Sequence, residues 1–197
     1  MVQDLLQIFN TAKRYQATDI GLVNVNNGVY VVFEPNEILP NGLNRVVRIG
    51  INKSGAFKDR LKKHFVSHNR GSSVFIKHVG RALISKDSKQ HLLPKWMDRS
   101  FKSPEIEQYI KRSADFLSRC SFCVICVPNR EMRESLEAKL VSTFSYNEGN
   151  TPTENWLGRY HNDVTIGESG LWNIEHTGSD LELSVEDALF ISKNLVR

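Results

Sequence analysis

A chain of 197 residues and 22.5 kDa can bury one substantial core, and its 40% hydrophobic and 24% charged residues are ordinary for a globular protein. No stretch approaches the roughly 20 apolar residues of a membrane span, and the amino-terminal MVQDLLQIFN lacks a basic leader and a small-residue cleavage site, so the expectation is a cytoplasmic protein with no membrane partner. The net charge of +4 hides a polarity: 13 Lys or Arg stand against three acids between Ile51 and Lys102, whereas three basic residues stand against nine acids from Ser145 to Arg197, so a phosphate backbone suits the positive part.

In chain order, Val2 to Tyr15 has the spacing of an amphipathic helix with Leu5, Leu6, Ile8 and Phe9 on its apolar side. Gly28 to Phe33 (GVYVVF) and Asn44 to Ile51 (NRVVRIGI) are β-branched and aromatic runs separated by Pro40, Asn41 and Gly42, which predicts a hairpin with a long loop. After a loop from Asn52 to Gly55, Phe57, Leu61 and Phe65 recur every four residues and predict a helix from Phe57 to Val66. A second helix is expected from Val74 to about Ser85 with Ser72 or Ser73 as its cap, and Ser103, Pro104 and Glu105 announce a third reaching about Ser118. Ser121 to Val127 reads as a buried strand that puts Cys120 and Cys126 on one face and Cys123 on the other; thiols so divided cannot converge on a metal, and the CxxCxxC spacing is read as packing. Asn129 then caps a helix from Arg130 to Phe144, and the remainder is irregular until a short helix near Val185 to Val196. With no repeat or linker, residues 1–197 read as a single domain.

Two placements on these helices suggest chemistry. Arg60 and His64 are i and i+4 neighbours beside the Phe57/Leu61/Phe65 stripe, so guanidinium and imidazole reach one cleft at the edge of the core. On the later helix Met132, Leu136, Leu140, Val141 and Phe144 span an arc of about 180°, and Glu137 falls inside it. A carboxylate turned inward needs a partner, which is either a base such as Arg133 or a hard cation such as magnesium. Each residue alone has a plainer reading: Tyr30 as a core aromatic, Arg60 and His64 as a basic surface pair, and Trp156 and Trp172 as packing of the tail.

Taken together, Gly28-Val29-Tyr30 on the first strand, Arg48-Ile49-Gly50 on the second, Arg60 and His64 on the next helix and Glu137 on a later one resemble the GIY-YIG nucleases. The resemblance runs over about residues 28–155, with about 67–119 as a helical insert and 156–197 as an extension. It implies an α+β fold, with a small antiparallel three-stranded sheet flanked by helices, the helical insert and an irregular C-terminal extension. It also implies a DNA endonuclease hydrolysing phosphodiester bonds at a single Mg2+ (or Mn2+) site, with a catalytic set of Tyr30, Arg60, His64, Glu137 and an asparagine, and with Glu137 on the metal. Asn147, Asn150 and Asn155 are candidates for that asparagine, and Asn155 is favoured. The second motif carries Arg48 where the family has tyrosine, so Arg48 is expected to bind phosphate. Lys58, Lys62, Lys63, Arg70 and Lys77 are expected to bind substrate. The segments HNRGSSVFIKHVGRAL (68–83) and Ser169-Gly170-Leu171-Trp172-Asn173 resemble signatures of a bacterial subgroup.

The resemblance requires the phenol, guanidinium, imidazole and carboxylate to gather around one notch, with Glu137 on the same side of the sheet as the Tyr30 hydroxyl. Restriction-type and repair-type roles both fit, and the basic segment would serve RNA as well as DNA. The rival reading, supported by Arg48, is a catalytically inactive nucleic-acid-binding or protein-interaction module on the same fold. The oligomeric state is not legible.

Overall fold

The computed structural model describes residues 1–53, 55–67 and 69–197; Ser54 of the predicted loop and His68, which opens the segment 68–83, lie outside the described residues. The architecture is α+β. Strands β1 (Gly28–Phe33), β2 (Arg48–Ile51) and β3 (Ser121–Cys126) form an antiparallel sheet in the order β2-β1-β3. The register pairs Tyr30 with Gly50 on one side and with Val124 on the other. Gly28, the first residue of the GVY run, is held by close approach, since a Cβ there would lie 2.5 Å from the Ile125 carbonyl oxygen.

Alternation along the strands divides the core in two. Tyr30, Val32, Phe122 and Val124 face α2 (Phe57–Phe65), α3 (Val74–Lys86) and α5 (Pro104–Ser118), with Trp96, Trp156 and Trp172 filling the space beyond. Val29, Val31, Phe33, Ile49 and Ile125 face α1 (Val2–Asn10), α6 (Arg130–Phe144) and α8 (Val185–Asn194). Cys120 lies in the first cluster with Cys126 against it, and Cys123 in the second. The caps expected at Ser73, Ser103 and Asn129 each accept an amide of the first helical turn, from Ile76, Ile106 and Met132.

Several boundaries differ from expectation for identifiable reasons. Helix α1 stops at Asn10 instead of Tyr15, because the Asn10 side chain donates to Leu6 and Asn44 carbonyls while Tyr15 forms an antiparallel bridge to Phe122. Strand β2 starts at Arg48 instead of Asn44. Upstream of it the Asn150 side chain accepts from the Val46 amide (3.0 Å) and donates to the Val46 carbonyl (2.9 Å), taking the place of a strand. Within β2 the Asn173 side chain does the same to Ile49, at 3.1 and 2.9 Å, and the Trp172 amide donates to Val47. The outer margin of β2 and of the residues leading into it is thereby partly satisfied by two amides and a turn of main chain, which no local pattern announces.

Residues 67–119 also hold a short helix α4 (Leu93–Met97), not expected from the sequence, that brings Trp96 under α3. The tail holds a further helix, α7 (Val164–Ser169). Arg70 is buried, and its guanidinium donates to the carbonyls of Lys95, Trp96, Asp98 and Phe101. Among the described residues no helix is long and apolar enough to cross a membrane.

Candidate active site

A cavity of about 400 Å3 opens at the edge of β2, where the two sides of the sheet meet. Arg48 from β2, Arg60 from α2, His78 from α3, Glu137 from α6 and Asn173 from the tail line it. Arg48 and Gly50 project to the Tyr30 side, because cross-strand partners share a face and Arg48 opposes Val32. Helix α6 packs on the opposite side through Leu136, Leu140 and Val141. Helix α6 and the Tyr30 phenol therefore lie on opposite sides of the sheet, yet the Glu137 side chain lines the cavity together with Arg48 and Arg60; Tyr30 and His64, expected in the same notch, are not among the residues that line it. The physical reason that Glu137 reaches it is the narrowness of the sheet: β1 is one strand, roughly 5 Å, from the margin, and Glu137 lines the cavity from around the β2 edge.

Glu137 is half-buried and has no hydrogen-bond or ion-pair partner among the described residues. Arg133 does not pair with it; that guanidinium caps the carbonyls of Val127 and Pro128. Burial, with a smaller push from the neighbouring Glu175 carboxylate, raises the Glu137 carboxyl to about 7 against the pull of Arg48, Lys53 and Arg60. Lys53 and Glu175 face each other at 3.7 Å, both largely exposed, so this pair adds little energy.

Tyr30 is fully buried, with its ring against Phe57, His64 and Phe65. The phenol lies across Gly50, where a Cβ would sit 2.3 Å from the hydroxyl oxygen; glycine at the end of the RIG run is what lets the tyrosine lie there. His64, also buried, is held by Ser73 Oγ, 2.9 Å from Nδ1, so the cap of α3 orients an imidazole of α2. Burial, reinforced by Arg48, Arg60 and Lys63, keeps that imidazole neutral by driving its pKa well below the usual histidine value. Arg48 donates from Nη1 to the Trp172 carbonyl at 2.6 Å and lies over the Phe75 ring.

Four buried polar atoms in this neighbourhood have no hydrogen-bond partner among the described residues: the Tyr30 hydroxyl, His64 Nε2, Arg48 Nε and Arg60 Nε. Each such group costs about 1–3 kcal/mol when left unmade. Arg48 and Arg60 line the cavity beside the unpaired Glu137 carboxylate, where a polar ligand would complete them, whereas Tyr30 and His64 are buried and do not line it. The other buried unpartnered atoms belong to Arg14, Arg45, Ser85 and Arg133, away from this cavity.

The remaining expected residues fall elsewhere. Asn155 is exposed and lines a different cavity with Glu34, Phe116 and Trp156; the asparagine on the Glu137 cavity is Asn173. Asn173 closes the Ser169–Asn173 segment, but counting from the Glu137 helix gives no means of choosing it. Arg70 is occupied by the four carbonyls, Lys58 donates to the Gly21 carbonyl at 3.0 Å, and Lys77 is partly buried near Arg99. Lys62 and Lys63 are exposed on α2, and Lys63 joins Lys53 and Arg60 around a smaller adjoining cavity. Trp156 and Trp172 are packing residues with a polar duty, both donating indole N–H to Glu34 Oε1, at 3.1 and 2.6 Å. Burial raises the Glu34 carboxyl to about 7 against these bonds.

A family model described as a GIY-YIG domain matches residues 1–192. No curated protein and no solved structure matches the chain.

Proposed function

The chain belongs to the GIY-YIG domain family, and from that premise we propose that it is a divalent-metal-dependent DNA endonuclease whose active site is the Glu137 cavity. The family is a nuclease family, generally dependent on a divalent metal and acting on nucleic acid. The observation that carries the reading for this cavity is the lone Glu137 carboxylate lined up with Arg48 and Arg60, each with an unpartnered guanidinium nitrogen, while the unpartnered Tyr30 hydroxyl and His64 Nε2 are buried next to them, Tyr30 against Gly50 of the same strand as Arg48. Phosphate oxygens and water satisfy such a set, whereas an apolar ligand leaves every one of them unpaired.

A single divalent cation fits Glu137. Among the described residues no cluster of three or more His, Cys, Asp or Glu forms a closed cage, and magnesium retains several waters and commonly takes only one or two protein carboxylates. Bound there, Mg2+ or Mn2+ supplies Lewis acidity at the scissile phosphate. Arg60 and Arg48 hold non-bridging oxygens and offset the charge that grows on them as water attacks phosphorus and the alkoxide leaves. Tyr30 would take the proton of the attacking water while passing its own phenol proton to the neutral imidazole of His64 beside it. Asn173 fixes the β2 margin, and through it the Arg48 side chain, by its paired bonds to Ile49.

The test is incubation of supercoiled plasmid with the protein and magnesium, with and without chelator. Nicking and linearisation that chelator abolishes are expected, and Glu137→Ala is expected to lose cutting while retaining DNA affinity. A Glu137→Ala variant that cuts at the wild-type rate overturns the assignment. Arg48, in the place of the family's second tyrosine, favours the rival reading of a non-catalytic binding module. That reading is adopted if the wild-type chain retains plasmid without cutting it under any divalent metal. Cleavage of unmodified duplex at one sequence marks a restriction role, and preference for branched or damaged duplex a repair role.

A further inference from the structure

Two histidines outside the predicted set meet beside the cavity. His78 on α3 and His161, which follows the turn before α7, lie with Nδ1 and Nε2 3.2 Å apart and ring centroids at 5.1 Å. Both are buried, and His161 also stands edge-on to Trp172. The protons on this pair follow from who can donate. The Asp163 main-chain N–H points at His161 Nδ1 from 3.0 Å, and an amide can only donate, so that nitrogen is an acceptor. The Asp163 carbonyl lies farther from it, at 3.4 Å. His161 therefore carries its proton on Nε2 and donates to His78 Nδ1. His78 in turn carries its proton on Nε2, the ring nitrogen for which no protein partner is found among the described residues, on a side chain that lines the Glu137 cavity.

We propose that the Asp163–His161–His78 chain fixes His78 as a neutral imidazole donating its Nε2–H to a phosphate oxygen of the bound nucleic acid, with His161 as the positioning residue. The inference rests on the nuclease reading of the cavity and adds a third donor to Arg48 and Arg60. Both imidazoles stay uncharged across the working range: burial, then Arg48, His161, Arg81 and Lys77, lowers His78 to about 2, and burial with Arg81 lowers His161 to about 4. A neutral donor suits a site that already holds two guanidinium groups, since a third full charge would be repelled by them. It also gives residues 67–119 and the tail a joint task, as each supplies one ring.

The decisive measurement is nitrogen NMR of histidine-labelled, metal-free full-length protein, before and after a short DNA duplex is added, run beside plasmid cleavage by His161→Phe and His161→Gln. The expected results are a bare His78 Nδ1, a His78 Nε2–H resonance that moves on duplex addition, and a kcat about tenfold lower in His161→Phe with KM unchanged, consistent with weakening one transition-state hydrogen bond. His161→Gln, whose amide can still donate to His78, recovers most of the rate. A proton on His78 Nδ1, a resonance indifferent to duplex, or wild-type kcat in His161→Phe overturns the inference. If the wild-type chain does not cut but duplex moves the His78 resonance, the donor role stands and the nuclease reading alone fails. If the chain cuts and the resonance is still, the inference alone fails.

Discussion

At the scale of single residues, Glu137 sets a pH signature. Its carboxyl titrates at about 7 in the folded chain and near the ordinary carboxylate value when unfolded, so between those values the folded state binds more protons. Stability contributed by this group is therefore full at the acidic end and is lost as pH rises through 7. Glu137→Gln removes the buried charge and is expected to melt higher than wild type above pH 7, by at most about 3 kcal/mol of stability, with the difference vanishing near pH 4.5. Melting of the metal-free protein across that range reads it, and Glu34, with a similar shift, supplies a background slope common to both proteins. Gly50 makes a second residue-scale prediction. A methyl group there collides with the Tyr30 phenol, so Gly50→Ala is expected to cost about 1–3 kcal/mol by overpacking and to reduce cleavage more than DNA binding. Wild-type turnover in a stable Gly50→Ala protein contradicts the placement of the phenol. Helix spacing in the sequence pairs Arg60 with His64 and turns Glu137 inward, whereas the role of Tyr30 and the grouping of the four rest on the resemblance alone. His78 and His161 are not legible there, since 83 positions separate the rings and each alone reads as an ordinary buried histidine.

Among elements, the margin of β2 is the informative case. Asn150 and Asn173 make the same pair of main-chain hydrogen bonds, to Val46 and Ile49, but only Asn173 reaches the cavity. Asn150→Ala and Asn173→Ala are expected to lose similar stability, on the order of 1–3 kcal/mol. Per folded molecule, only Asn173→Ala is expected to lose cleavage, because Arg48 next to Ile49 then loses its fixed position. Equal activity losses in the two variants, compared by denaturant titration and plasmid assay, count against the Asn173 role. The helices α2, α3, α5 and α6 are readable from caps and apolar spacing. The end of α1, the start of β2 and the existence of α4 are not, as tertiary partners decide them: Phe122 takes Tyr15, Asn150 takes Val46, and Trp96 is drawn beneath α3. The favoured Asn155 falls on another cavity for the same reason, since spacing along a chain carries no information about which turn folds back to the sheet edge.

For the whole molecule, the unequal distribution of charge becomes a prediction about salt. Lys53, Arg60 and Lys63 adjoin the Glu137 cavity with Lys62 exposed on the same helix, whereas Arg70 is consumed by carbonyls. Replacing Lys62 and Lys63 with Gln is expected to flatten the plot of log binding constant against log salt by roughly 0.9 for each phosphate that is no longer neutralised, without altering the fold. Arg70→Ala should instead lower stability and leave the salt slope unchanged, because its charge is spent inside the protein. An unchanged slope in the double lysine variant removes those two positions from the binding groove.

A three-stranded sheet ordinarily exposes two rows of main-chain donors and acceptors, yet here both are interrupted. Along β2 the takers are Asn150, Asn173 and the Trp172 amide; along β3 they are Tyr15 and the chain around Leu195, whose neighbour Val196 donates to Val124. A stray extended peptide, or the sheet of another copy, finds no unbroken ladder to continue. Concentrated protein is thus guarded against fibril growth by strand addition, and any variant that frees Asn173 loses that guard together with its chemistry.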